Sequence, residues 1–116
     1  MKQDKLYHAL SYILDSIDKI EAQTSSGFEE FQNNETLFTS TLFYLEKLAD
    51  ATQHIHEDVK SVYKHIEWRK IKGFRNVIAH EYLEGYDIQM VWDTIKQKLP
   101  PLKQVILEIK KFKYNE

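Results

Sequence analysis

Ile71-Lys72-Gly73-Phe74-Arg75-Asn76-Val77-Ile78-Ala79-His80-Glu81-Tyr82 is the stretch on which the reading of this chain turns. At about 100° per residue on a helical wheel, Ile71, Phe74, Val77 and Ile78 fall at i, i+3, i+6 and i+7. They form one apolar stripe, the mark of a helix lying on a core. Lys72, Asn76 and His80 stand at i, i+4 and i+8 on the polar side, so Asn76 is within side-chain reach of His80. An amide there can hold one imidazole nitrogen and leave the other free for proton transfer. Arg75 and Tyr82, one heptad apart, share a flank beside the stripe. Arg75 and His80 stand about 140° apart on the wheel, so one helix does not aim both at a single atom. They can flank a ligand or converge across a symmetric dimer. Gly73 inside this helix costs about 1 kcal/mol relative to alanine, which close approach of another helix or of substrate would justify.

Helical periods continue on both sides. Leu6, Leu10, Ile13, Ile17 and Ile20 recur at alternating four- and three-residue steps, which predicts an amphipathic helix from Asp4 to about Ala22. Thr24-Ser25-Ser26-Gly27 ends it by turn chemistry, and Phe28 and Phe31 begin a short helical turn that plugs one end of the core. Asn33 or Asn34 caps a second long helix over about Glu35 to His54. That helix carries two apolar rows, Phe38, Leu42, Leu45 and Ala49, and Leu37, Tyr44, Leu48, Ala51 and Ile55. Two rows predict burial on two sides, by a central place in a bundle, a dimer interface, or both. Glu57 to Tyr63 reads as a short helix, and His65-Ile66 as an extended link to Glu67 and a core-packed Trp68. Gly85 ends the helix that carries Arg75 and His80, and Asp87 caps the last one. From Ile88, the positions Val91, Trp92, Ile95, Leu99, Leu102, Val105, Ile106, Ile109 and Phe112 keep a helical period, interrupted by Pro100-Pro101. The proline pair removes two amide donors and predicts a kink or a break into two collinear helices. The expected fold is all-α, a four- to five-helix up-and-down bundle in a single domain over residues 1–116.

With 116 residues, 42% of them hydrophobic, the chain can bury one modest core. It has no cysteine, which excludes disulfides, thiolate metal sites and a thiol nucleophile. No long apolar run or signal-like amino terminus is present, so a soluble cytoplasmic protein is expected. His54, His56 and His65 lack the spacing and accompanying carboxylates of a metal site, and no metal or other cofactor is expected. The net charge of −2 is small but unevenly placed. Residues 1–58 carry four basic and eleven acidic side chains, whereas residues 59–116 carry twelve and seven. Lys60, Lys64, Arg69, Lys70, Lys72 and Arg75 stand against Glu67 alone, a basic run suited to phosphate. Arg69, Lys70 and Lys72 are therefore the candidate phosphate and nucleic-acid contacts, although lysines on helix surfaces are commonly there only for solvation.

The run Arg75-Asn76-Val77-Ile78-Ala79-His80-Glu81-Tyr82 resembles the R-x-x-x-x-H-x-Y signature of HEPN ribonuclease toxins of the HepT-like kind, the partners of minimal nucleotidyltransferase (MNT) antitoxins. Ile66-Glu67-Trp68, Ile71-Lys72-Gly73-Phe74, Val91-Trp92 and Leu99-Pro100 also look like the family's pattern, and the resemblance covers nearly the whole chain. Asp50-Ala51 departs from it, because a Glu-Ala pair is expected there. The resemblance implies an all-helical homodimer in which two copies of Arg75 and His80 line one cleft. It further implies a type VII toxin that cleaves transfer or messenger RNA, with its antitoxin transferring AMP from ATP to Tyr82. The residues suit metal-free phosphodiester chemistry. His80 moves a proton, Arg75 neutralises charge on the phosphate, Asn76 supports His80, and the ribose 2′-hydroxyl attacks to leave a cyclic phosphate. The competing expectations are a non-catalytic helical partner that presents nucleotide substrates to a nucleotidyltransferase, and a purely structural dimerisation domain.

Overall fold

The apolar period of the first long segment becomes α1, Lys5–Thr24, and its stripe of Leu10, Ile13, Ile17 and Ile20 is completely dry. The structure is a computed structural model describing residues 4–74 and 87–116. Arg75, Asn76, His80, Tyr82 and Gly85 lie outside the described residues. Within those, all regular structure is helical. α2 spans Phe28–Asn33, α3 Glu35–Thr52, α4 Glu57–Lys60, α5 Trp68–Lys72 and α6 Ile88–Tyr114.

Three long helices set the architecture, and α1 lies between the other two. Gln23 reaches Ser40 and Thr41 across the α1–α3 seam, at 2.7 and 3.0 Å. At the other end of that seam, Lys5 and His8 face His54 across a groove, so the two helices run antiparallel. Lys103 of α6 bonds to Glu21 at 2.9 Å, and Tyr114 reaches Asp4 at 2.6 Å, which makes α1 antiparallel to α6 as well. The core between them joins the α1 stripe to Phe38, Leu42, Leu45 and Leu48 of α3 and to Ile95, Leu99, Leu102, Ile106 and Ile109 of α6. Phe31 of α2 closes one end, fully buried, with its ring 5.4 Å from Phe38 and 5.3 Å from Trp92. The polar groups caught in this packing are satisfied: Thr24 and Thr52 donate their hydroxyls to the carbonyls of Ile20 and Ala49.

Helix starts follow the side chains that can cap them. Asp4 accepts from the Tyr7 amide at 2.9 Å, Asn34 from Leu37 at 3.1 Å and Asp87 from Met90 at 3.0 Å. Each carboxylate or amide oxygen takes a donor that the first turn leaves without a helical partner. Asp4 also accepts the Tyr114 hydroxyl. That bond, with the Tyr7 amide, holds the Asp4 carboxyl below its usual range. Burial, then the bond to Asp4, pushes the Tyr114 hydroxyl up to about 12.

Several expectations need correction. The second apolar row of α3 is uneven: Leu48, Ala51 and Ile55 are buried, but Leu37 and Tyr44 are only half-buried. The helix at Glu57 stops at Lys60, and His65-Ile66 is a run of turns rather than an extended link. The Ile66 amide bonds to the Tyr63 carbonyl at 3.1 Å and the Trp68 amide to the Ile66 carbonyl at 2.9 Å. Gly73 does not sit inside a helix but closes α5, its amide bonded to the Arg69 carbonyl at 3.1 Å. Phe112 is 87% exposed, one turn beyond the last core residue Ile109. α6 does not break at the proline pair but runs unbroken for 27 residues. Both prolines are exposed, as are Lys96 and Gln97, whose carbonyls lose their amide partners. Water can take those carbonyls, while Leu99 and Leu102 stay packed on the core side.

Replacing Pro100 by alanine restores a helical donor without touching the core, so Pro100→Ala is expected to raise the unfolding free energy by up to about 3 kcal/mol in urea titrations. Asn34→Ala removes the α3 cap and is expected to lower it by about 1 kcal/mol in the same measurement.

Candidate nucleic-acid interface

α5 is only five residues long, so its orientation comes from what it buries. Ile71 is sunk into the core, and Trp68 packs half-buried at its edge. The Trp68 indole nitrogen donates to the carbonyls of Lys60 and Tyr63, at 3.2 and 3.1 Å, tying α5 to the end of α4. With Ile71 facing inward, the helical wheel throws Arg69 and Lys72, three apart, onto one flank and Lys70 onto the other.

The two flanks differ in charge state as well as direction. On one side, Arg69 and Lys72 line a groove of about 490 Å³ whose other walls are Gln53 at the end of α3, Glu57 and Lys60 of α4, and Ile66, Glu67 and the Trp68 edge. The Lys60 ammonium lies 5.8 Å from the centre of the Trp68 ring, a cation held against an aromatic face. On the other side, Lys70 pairs with Glu67 at 2.8 Å, and Lys98 from α6 bonds the same carboxylate. Those two lysines, Lys70 first, hold the Glu67 carboxyl down at about 2. Glu67 is therefore anionic yet neutralised at the groove's edge.

Of the three cations expected to contact RNA, the fold brings Arg69 and Lys72 together and turns Lys70 away into an ion pair. Lys60 joins them, paired with Glu57 at 4.0 Å. It belongs to the same basic run in the sequence, but only the Trp68–Lys60 backbone bond brings it across from α5. Phe74 ends the described segment here, so the next residue in the chain is Arg75. Asp50, where a glutamate was expected, is half-buried on α3 and lines a different groove, between α1 and α3. Among the described residues no three histidine, aspartate or glutamate side chains converge as a metal site would need, and His56 instead caps α4 by accepting from the Asp58 amide at 3.2 Å. No described helix is long and apolar enough to cross a membrane.

The family model for HepT-like ribonucleases matches residues 13–109. The chain belongs to the HepT-like ribonuclease family. The matched span runs from the middle of α1 to near the end of α6, and includes both the basic groove and the R-x-x-x-x-H-x-Y motif. Two Methanocaldococcus jannaschii proteins that carry provisional names as RNases are 32% and 31% identical to this HepT-like chain over 99 residues. Each alignment covers 85% of this chain, and 82% and 78% of theirs. A Thermococcus cleftensis protein named as a probable ribonuclease HepT is 29% identical over 103 residues, 88% of this chain and 93% of its own. No solved structure matches the chain significantly.

The Glu67 pairing gives this face a measurable acid response. A carboxyl whose folded value lies below its ordinary 4.5 contributes stability above that value, and loses the contribution as pH falls through about 2. Wild type is therefore expected to exceed Glu67→Gln in urea stability above about pH 4.5, with the gap closing toward pH 2. A pH-independent gap would show that the lysines do not hold the carboxylate.

Proposed function

We propose that this HepT-like chain is a metal-independent endoribonuclease, the toxin of a type VII HEPN/MNT toxin–antitoxin module acting on transfer or messenger RNA. The observation that carries the reading is the cationic groove of Lys60, Arg69 and Lys72, in a chain of a ribonuclease family, whose next segment begins with Arg75. Lysine and arginine side chains along a groove can neutralise the phosphates of a strand.

The chemistry assigned to Arg75 and His80 needs no external nucleophile. His80 takes the proton of a ribose 2′-hydroxyl, O2′ bonds to the adjacent phosphorus, and the bond from phosphorus to O5′ of the next nucleotide breaks. The leaving O5′ collects a proton, leaving a 2′,3′-cyclic phosphate and a 5′-hydroxyl. Arg75 meets the charge growing on the non-bridging oxygens with a planar fork of donors, and Asn76 fixes the His80 tautomer. Two copies of the chain supply two such sets to one cleft, which removes the problem of the 140° between Arg75 and His80. A nucleotidyltransferase antitoxin silences the toxin by moving AMP from ATP onto Tyr82. A bulky anion on the Arg75 flank would occupy the phosphate site and repel RNA.

His80→Ala is expected to lower RNA cleavage by about 10²- to 10⁴-fold and to abolish growth arrest on expression, while wild-type cleavage persists in EDTA and leaves cyclic phosphate ends. Equal toxicity of parent and variant, or loss of cleavage with EDTA, would remove the mechanism. Intact-mass spectrometry after co-expression with a cognate MNT nucleotidyltransferase is expected to show AMP adducts on the parent and none on Tyr82→Phe.

A further inference from the structure

Ala9 of α1 and Ala51 of α3 meet at the seam between those helices, and two methyl groups leave open a space that larger side chains would fill. The result is a groove of about 540 Å³ between the first half of α1 and the last part of α3. Lys5, His8 and Tyr12 rise on one rim and Lys47, Asp50 and His54 on the other, each set at i, i+3 and i+7. We propose that this groove is a second RNA subsite, which holds a single-stranded arm of the substrate running on from the α5 groove. The proposal rests on the ribonuclease reading above and names a stretch of substrate that reading leaves unassigned.

Charge placement is the first argument. Residues 1–58 are strongly acidic, with only four lysines and no arginine, and two of the four lysines stand on this groove. Lys19, by contrast, is paired with Asp15 at 3.2 Å. Among the described residues neither Lys5 nor Lys47 forms an ion pair; the Lys47 ammonium instead lies 5.3 Å from the centre of the Phe43 ring. Two lysines against a single carboxylate suit a backbone of phosphates.

Continuity is the second argument. Gln53 and His54 are consecutive residues at the end of α3, and Gln53 walls the α5 groove while His54 walls this one. A strand leaving Arg69 and Lys72 past Gln53 therefore enters the α1–α3 groove over the end of one helix. The third argument is the chemistry on offer inside. Tyr12 is 45% exposed and presents a ring on which a base can stack.

The test uses the full chain carrying His80→Ala, so that RNA stays intact, and measures equilibrium binding of a labelled single-stranded RNA of about twelve nucleotides over a range of salt. Adding Lys5→Gln and Lys47→Gln is expected to weaken binding about tenfold or more. It should also flatten the slope of log affinity against log salt by about 1.4, two single-strand contacts at about 0.7 each. Tyr12→Ala is expected to weaken binding about fivefold or more with the slope unchanged. These side chains lie outside the core, and thermal melts of each variant confirm folding. Unchanged affinity and slope for the lysine pair, while Lys60→Gln with Lys72→Gln weakens binding, would overturn the subsite and leave the ribonuclease reading standing. No RNA binding by the His80→Ala chain at all would overturn both. If the lysine pair leaves RNA binding intact but abolishes capture of the co-expressed nucleotidyltransferase, the groove is a protein-docking surface and the subsite is overturned.

Discussion

The whole arrangement hangs on the water-free stripe of α1. Leu10, Ile13, Ile17 and Ile20 are shared by α3 on one side and α6 on the other, so α1 fixes the spacing and polarity of both. Burial of four such side chains contributes on the order of 6–12 kcal/mol before the entropy of ordering the chain is subtracted. Because α1 runs against both neighbours, the end of α3, the whole of α4 and the basic α5 are carried to one side of the molecule. The grooves on either side of Gln53 and His54 follow from that placement.

α5 shows how little core a functional element needs when its one buried residue is well chosen. Ile71 decides which way the helix is rotated, and the Trp68 indole decides where it sits along α4. Rotation then sorts the cations. Lys70 is spent neutralising Glu67 with Lys98, so one of the two carboxylates that line the groove does not oppose a phosphate there. Arg69 and Lys72 line the groove on the other flank, where Lys60 pairs with Glu57 at 4.0 Å. A five-residue helix with three basic residues thus has two faces of different electrostatic character.

Much of this was legible in the chain itself. The 3.5-residue average spacing of Leu6 through Ile20 could only be a helix with one wet side, and the Asn33-Asn34 pair and Asp87 announced helix starts through short side chains that bond the following turn, the structure choosing Asn34 of the pair. The second half of α6 was harder, because proline is read as a breaker whenever its neighbours are ignored. Here both prolines fall on the solvent side, where water replaces the missing donors. Gly73 was misplaced because its cost argued for a special contact, whereas it closes a short helix. The division between Lys70 and Lys72 needed the rotation set by Ile71, which depends on long-range packing. So did the α1–α3 groove, made by two alanines 42 positions apart in the sequence. The candidate catalytic residues Arg75 and His80 were read from their spacing and from family resemblance, and they lie outside the described residues.

Asp4 has two partners that belong to opposite ends of the described chain: it caps the first turn of α1 and accepts the hydroxyl of Tyr114 in the last turn of α6. Tyr7 adds a second crossing bond, donating to Glu116 at 3.0 Å. Fraying at either end therefore removes support from the other. The first amides of α1 and the last of α6 should open to hydrogen exchange as one cooperative unit, although more than a hundred residues separate them along the backbone.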